Sequence, residues 1–112
     1  MPDPAPPPAS AVAFAEAARR LGEVCRRHGL VAPGFRSPPA DPAARRTIRH
    51  RPDGGVIVAV RVRGRPLADV LVDLVEGVLA ANALPEEEAA RLRRELLAGL
   101  SDLEGSPPAR AA

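Results

Sequence analysis

The chain has 112 residues with a formal net charge of +2, one cysteine and 2% aromatic residues. This length supports a single domain, one cysteine excludes an internal disulfide, and the longest apolar run, 56–60, is too short to span a bilayer. No basic start followed by an apolar stretch marks a secretory signal, so we expect a soluble cytoplasmic protein.

Both ends of the chain are rich in proline and small residues. The opening segment MPDPAPPPAS has five prolines in its first eight residues, and the closing segment GSPPARAA has a similar character. Such segments bury too little apolar surface to offset the entropy lost on ordering. We therefore predict disordered tails over 1–10 and 105–112, and one domain over 11–104.

The first predicted element is an amphipathic helix over 11–28, in which apolar residues recur at helical spacing. Gly29 is a typical stop signal at its C-terminus. Four prolines then fall between 33 and 42, a density that excludes a regular helix or a central strand. We expect Phe35 to insert into the core from this loop.

A β-hairpin over 45–65, RRTIRHRPDGGVIVAVRVRGR, is the clearest structural signal. Its RPDG segment suits a type I turn with Gly54 in the left-handed conformation, which places Ile48 opposite Val58. One face then carries valines and is predicted to be core. The other face is basic: it carries Arg45, Arg49, Arg51, Arg61 and Arg63, with Arg65 at the start of the next helix.

Two further amphipathic helices are predicted after the hairpin. Pro66 opens the first, which has a wide stripe of Leu and Val. Pro85 opens the second, whose first turn, 86–88, is three glutamates that match the helix dipole. The predicted order is α-β-β-α-α. This is an α+β fold, because a hairpin alone is unstable and must be covered by helices on its valine face.

Strand 56–60 is apolar on both faces, which a solvated outer strand does not require. The open edges of a two-stranded hairpin must also be blunted or paired. Both considerations favour a homodimer joined through the sheet, the basic face or both.

Charge divides the chain into a basic and an acidic half. Residues 1–65 hold twelve Arg and five carboxylates, a net of +7, and 66–112 hold four Arg and nine carboxylates, a net of −5. Such asymmetry indicates a partner, and the six hairpin arginines are the candidate partner- or anion-binding residues. All 16 basic residues are Arg, which weakens the argument for a role specific to guanidinium. The basic face of the hairpin could bind an acidic partner protein or the chain's own acidic half, it could bind nucleic acid, or it could only be solvated.

Nucleic acid is the alternative partner. The strand VAVRVRG followed by helices over 66–81 and 85–104 has the order of a ribbon-helix-helix DNA-binding protein. Two features depart from that pattern, since three glutamates open the last helix and the strand already has a hairpin partner. With no Trp or Tyr, the chain also lacks a stacking platform for single strands. A dimeric DNA-binding regulator using the Arg ribbon is the second hypothesis.

Catalytic and metal chemistry find little support in the sequence. Cys25, His28 and His50 could ligate zinc, but Cys25 and His28 fall on the predicted buried stripe, where such residues are ordinary packing groups. Asp69, Asp73 and Glu76 share one face of the middle helix and are interpreted as its solvated side. No phosphate-binding loop or nucleophile motif is present. We therefore predict no enzyme activity, no metal and no cofactor.

The segments HGLVAPGFRSPP and RTIRHRPDGGVIVAVRVRGRPLADVLVDLVEGVLAAN resemble a group of short uncharacterised proteins from high-GC actinobacteria, over residues 20–82. The resemblance implies a source and brings no activity, cofactor or site residue. We therefore expect a small non-enzymatic protein-interaction or adaptor module that is homodimeric and binds no membrane.

Overall fold

The computed structural model of the chain describes residues 9–104. Three helices and three strands follow in the order α-β-β-β-α-α. Their bounds are α1 Ala11–Arg27, β1 Gly34–Arg36, β2 Arg46–His50, β3 Val56–Val60, α2 Leu67–Asn82 and α3 Glu86–Leu100, followed by a 3-10 turn over Ser101–Glu104. The predicted α+β class, with a hairpin packed against helices, is confirmed. The predicted order lacked one strand, β1.

β3 is the central strand, antiparallel to β2 and parallel to β1. The hairpin has the predicted register, with Ile48 opposite Val58, and Gly54 adopts a positive φ of 92°. β3 is paired along both edges within one chain, so residues of β1 and β2 flank the apolar residues on each of its faces. The second neighbour of this strand is β1 of the same chain and not a second copy, so its apolar faces do not favour a homodimer.

β1 is a strand of three residues within the proline-rich stretch. An edge strand tolerates prolines beside it, because the backbone groups on its outer side need no partner within the sheet. Phe35, at the middle of β1, is half-buried and packs against the core as predicted, although from a strand instead of a loop.

The core lies between the inner face of the sheet and the three helices. α2 packs on β3 and is flanked by α1 and α3. The buried core residues are aliphatic apart from Cys25, because the chain has few aromatic residues. They are Ala17, Leu21, Cys25, Val56, Val58, Val60, Val62, Leu67, Val70, Leu71, Leu74, Val75, Val78, Leu79, Leu92, Leu96 and Leu100. No helix within 9–104 is both long and apolar enough to cross a membrane.

The described chain begins with two residues that the sequence assigned to a disordered tail. The Ser10 hydroxyl accepts a hydrogen bond from the Ala13 N–H at 3.1 Å and so caps α1, while the Ala9 N–H donates to the Arg65 carbonyl at 3.0 Å. Ala9 and Ser10 therefore belong to the fold. The rest of the predicted tails, 1–8 and 105–112, lie outside the described residues.

Arg20 joins the first helix to the end of the described chain. Its guanidinium donates to Glu16 at 2.8 Å within α1, and to the Asp102 carboxylate at 2.7 and 3.1 Å in the 3-10 turn. The pKa of Glu16 is lowered from 4.5 to about 2, first by the hydrogen bonds from Arg19 and then by that from Arg20. Arg20 likewise lowers the pKa of Asp102.

These ion pairs predict an acid-dependent loss of stability. A carboxyl group with a depressed pKa in the fold stabilises it above the unfolded pKa, and this contribution is lost as the pH falls through the folded value. For Glu16 the window runs from pH 4.5 down to about 2. Thermal denaturation across this window should show a shallower decline for Glu16→Gln than for the wild type. Equal declines for the wild type and Glu16→Gln would contradict the prediction.

Gly77 lets α2 approach the sheet closely. It is buried, and a Cβ at this position would lie 2.5 Å from Cγ1 and 2.9 Å from Cγ2 of Val58. Both distances are shorter than real van der Waals contacts, so either the helix or β3 would have to shift. The sequence gives no indication of this contact with Val58, because locally Gly77 only lowers the helix propensity of α2.

Replacing Gly77 with Ala should therefore destabilise the fold. Overpacking costs roughly 1–3 kcal/mol, which we expect to exceed the helix-propensity gain of about 1 kcal/mol. Gly99→Ala is the matched control, because Gly99 is also helical and a Cβ there would meet nothing within 4 Å. Urea denaturation should show Gly77→Ala less stable than the wild type and Gly99→Ala at least as stable. A Gly77→Ala variant of full stability would contradict the close approach.

Candidate partner-binding site

The six arginines predicted to share one basic surface are divided among several places. Arg45 and Arg65 turn toward α2, where both lie within 4 Å of Asp73. The remaining four occupy the outer face, the turn and the strand end: Arg49, Arg51, Arg61 and Arg63. The prediction that Arg45 lies on the basic face with Arg49 is wrong, because a buried carboxylate on α2 attracts its guanidinium.

Asp73 is the only buried charged residue within 9–104, with 2% of its surface exposed. Three arginines surround it: Arg46 Nη1 lies 2.8 Å from Oδ1, Arg65 Nη2 lies 2.7 Å from Oδ2, and Arg45 Nε lies 3.5 Å from Oδ1. The Arg65 contact is an ion pair without hydrogen-bond geometry, so Oδ2 has no hydrogen-bond partner among the described residues. We call Asp73 and these three arginines the Asp73 cluster.

The Asp73 cluster overturns part of the interpretation of α2. Asp73 was assigned to the solvated side of the helix with Asp69 and Glu76, yet it faces the hairpin and is buried. Asp69 is exposed as predicted, whereas Glu76 is half-buried and paired with Arg93 of α3, whose hydrogen bond lowers the pKa of Glu76. Part of the charge asymmetry is thus neutralised inside the chain.

Removing the carboxylate of Asp73 should destabilise the protein strongly. Arg46 and Arg65 would then be left half-buried without an anion, and loss of one partner of a buried pair costs about 3–5 kcal/mol. Asp69→Ala, one turn earlier on the same helix, is the control and should cost less than about 1 kcal/mol. The free energy of unfolding from urea titrations measures both effects. Similar losses for Asp73→Ala and Asp69→Ala would show that the cluster contributes no special stability.

The outer face of the sheet, turned away from the helices, carries a cleft of about 430 Å³. Cross-strand neighbours in a sheet point to the same side, so the register brings residues of all three strands together here. The outer cleft is lined by Arg36 of β1, Thr47 and Arg49 of β2, Ile57 and Ala59 of β3, and Pro38, Ala40 and Asp41 of the loop after β1. Ile48 of β2, which packs against the core on the inner face, also borders it. Its floor is an apolar strip with an arginine on either side.

The loop after β1 closes one end of this cleft. Arg61 Nη1 donates to the Pro42 carbonyl at 3.4 Å, and Asp41 Oδ1 accepts from the Ala43 N–H at 2.9 Å. The loop thereby shields Ala59, which is 8% exposed, and leaves Ile57 more open. One oxygen of the only carboxylate lining the cleft is already engaged by the loop itself.

Arg36 and Arg49 give the outer cleft its charge. Both are exposed, and neither takes part in an ion pair within the described part of the chain. Arg49 was a predicted site residue, but Arg36 was not. Its place beside the hairpin follows from β1, and with that strand unrecognised the sequence offered no signal for Arg36.

The three candidate zinc ligands differ in burial, since Cys25 is in the core and the two histidines are on the surface. Cys25 is buried as predicted, and burial raises the pKa of its thiol. His28 and His50 are exposed, so the placement of His28 on the buried stripe is wrong: it lies at the C-terminal cap of α1, where the helix ends. Over residues 9–104, no group of three or more His, Cys, Asp or Glu side chains is arranged to hold a metal ion.

Comparisons with protein-family models, curated proteins and solved structures found no match to this chain. The resemblance to actinobacterial proteins stays a prediction.

Proposed function

We propose that this chain is a small, non-enzymatic protein-interaction module that binds acidic segments of a partner protein at the outer cleft. One observation carries the proposal: two exposed guanidinium groups, Arg36 and Arg49, flank an apolar strip and have no carboxylate partner within residues 9–104.

The outer cleft is complementary in charge and polarity to an acidic segment that also carries aliphatic residues. A guanidinium binds a carboxylate through two parallel hydrogen bonds, which suits Asp and Glu side chains. Ile57 and Ala59 between the arginines offer an apolar surface to a neighbouring aliphatic residue of the same segment. A partner with alternating acidic and aliphatic residues would satisfy both features.

The same side chains suit recognition better than catalysis. Guanidinium groups stay protonated near neutral pH and are poor proton donors or acceptors. Asp41 is the single lining carboxylate, and its Oδ1 is engaged by the Ala43 N–H. These considerations support a binding role over acid-base chemistry.

A dimeric DNA-binding regulator is less well supported. In a ribbon-helix-helix arrangement the strand before the two helices pairs with its copy, but here β3 is already paired on both edges within one chain. Three hairpin-region arginines, Arg45, Arg46 and Arg65, are also directed toward Asp73 instead of an external phosphate. The homodimer and the cytoplasmic location remain predictions.

Binding of a fluorescent peptide with alternating Glu and Val residues tests the proposal. Fluorescence anisotropy at low salt should detect binding that weakens as salt screens the charges. The double substitution of Gln for Arg36 and Arg49 should weaken it about tenfold, because two charge-assisted contacts are lost. The same change at Arg91 and Arg94, exposed arginines of α3, is the matched control and should have little effect.

Two results would overturn this function. The first is no binding of the Glu-Val peptide by the wild type at low salt. The second is tighter binding of duplex DNA than of the peptide, with a steep salt dependence that the Arg36 and Arg49 substitutions reduce, which would favour the DNA-binding alternative.

A further inference from the structure

We propose that the acidic partner segment binds as an additional β-strand along the free edge of β2. This inference rests on the proposed function and adds to it a binding mode, since strand addition requires main-chain hydrogen bonds as well as charge. β2 pairs with β3 on one side only, and no described strand lies on its other side.

The hydrogen-bond pattern identifies which backbone groups of β2 are free. The Arg61 N–H donates to the Arg45 carbonyl at 2.9 Å, and the Arg51 N–H donates to the Gly55 carbonyl at 2.7 Å. In an antiparallel pair, alternate residues direct their N–H and C=O groups toward the partner strand. Arg45, Thr47, Arg49 and Arg51 therefore direct their backbone groups toward β3. The alternate residues, Arg46, Ile48 and His50, direct their N–H and C=O groups away from β3, and we call these backbone groups the β2 edge.

The charge around the β2 edge disfavours a second copy of this chain as its occupant. Two antiparallel copies of β2 centred on Ile48 would place the two Arg49 side chains diagonally across the pair on the outer face, within reach of each other, and neither guanidinium has a carboxylate partner within residues 9–104 to offset the repulsion. Basic side chains along an edge are also a common protection against self-pairing. The carboxylates of an acidic strand would instead be attracted by these arginines.

The side chains of β2 specify the pattern that an added strand should have. Arg49 and Thr47 lie on the outer side, where Arg49 lines the outer cleft, so acidic residues of the new strand belong on that side. On the inner side Ile48 packs against the core and Arg46 is held by Asp73. An aliphatic residue of the added strand would therefore lie beside Ile48, which gives an alternating acidic and aliphatic sequence.

Amide hydrogen exchange measured by NMR on isotope-labelled full-length protein tests this binding mode. Saturating Glu-Val peptide should slow exchange of the Arg46, Ile48 and His50 amides about tenfold or more, because these amides gain hydrogen bonds. The Thr47 and Arg49 amides, which already face β3, should change much less. A peptide held only by its side chains would not produce this alternation.

A matched pair of variants tests the hydrogen bonds themselves. His50 is exposed, so His50→Ala removes its side chain and keeps the edge N–H, whereas His50→Pro removes the N–H as well. We expect His50→Pro to bind the peptide about two- to tenfold more weakly than His50→Ala. Two peptides, N-methylated at every Glu or at every Val, provide the same test without altering the protein, and only one of them should lose binding.

The outcomes separate this inference from the proposed function. Peptide binding without slower exchange at the three edge amides, and with both N-methylated peptides equally active, would overturn strand addition and leave an acidic partner in place. Absence of peptide binding would overturn both. Protection of the same amides without peptide, together with a dimeric mass by light scattering, would place a second copy on the edge and also overturn the inference.

Discussion

The close contact between α2 and β3 is the constraint on which the other elements depend. Gly77 permits this contact, because any side chain there would overlap Val58 at the centre of the sheet. α1 and α3 pack against α2, and β1 and β2 are both paired to β3. All other elements are thus positioned by their contact with one of these two, and a shift between them would be transmitted to both layers.

The second organising interaction is electrostatic and joins α2 to β2. Asp73 on α2 holds Arg46 of β2, together with Arg45 and Arg65 on either side of the hairpin, so the basic and acidic halves of the chain meet within the fold. A buried carboxylate is tolerated only when it is paired. Arg45, Arg46 and Arg65 are thus paired with Asp73. Arg36 and Arg49, which line the outer cleft, have no carboxylate partner within residues 9–104.

Strand order places β3 at the centre of the sheet and β1 and β2 at its edges. β1 pairs with the edge of β3 that the hairpin leaves unpaired, so the most apolar strand has a neighbouring strand on each side. Of the two edge strands, β2 is the longer, and its sequence RTIRH is basic. A charged strand at the edge of a sheet limits aggregation, because its side chains disfavour pairing with a second copy.

Local pattern was enough to predict the three helices, the hairpin and its register, because helical periodicity, the RPDG turn and alternating valines are properties of neighbouring residues. It was not enough to predict β1, whose three residues form a strand only because β3 is beside them. The burial of Asp73 and the membership of Arg36 in the outer cleft depend in the same way on residues distant in sequence. Composition and periodicity therefore established the elements and their amphipathic faces. The pairing of charges and the order of the strands arose only from tertiary packing, since both depend on which elements become neighbours.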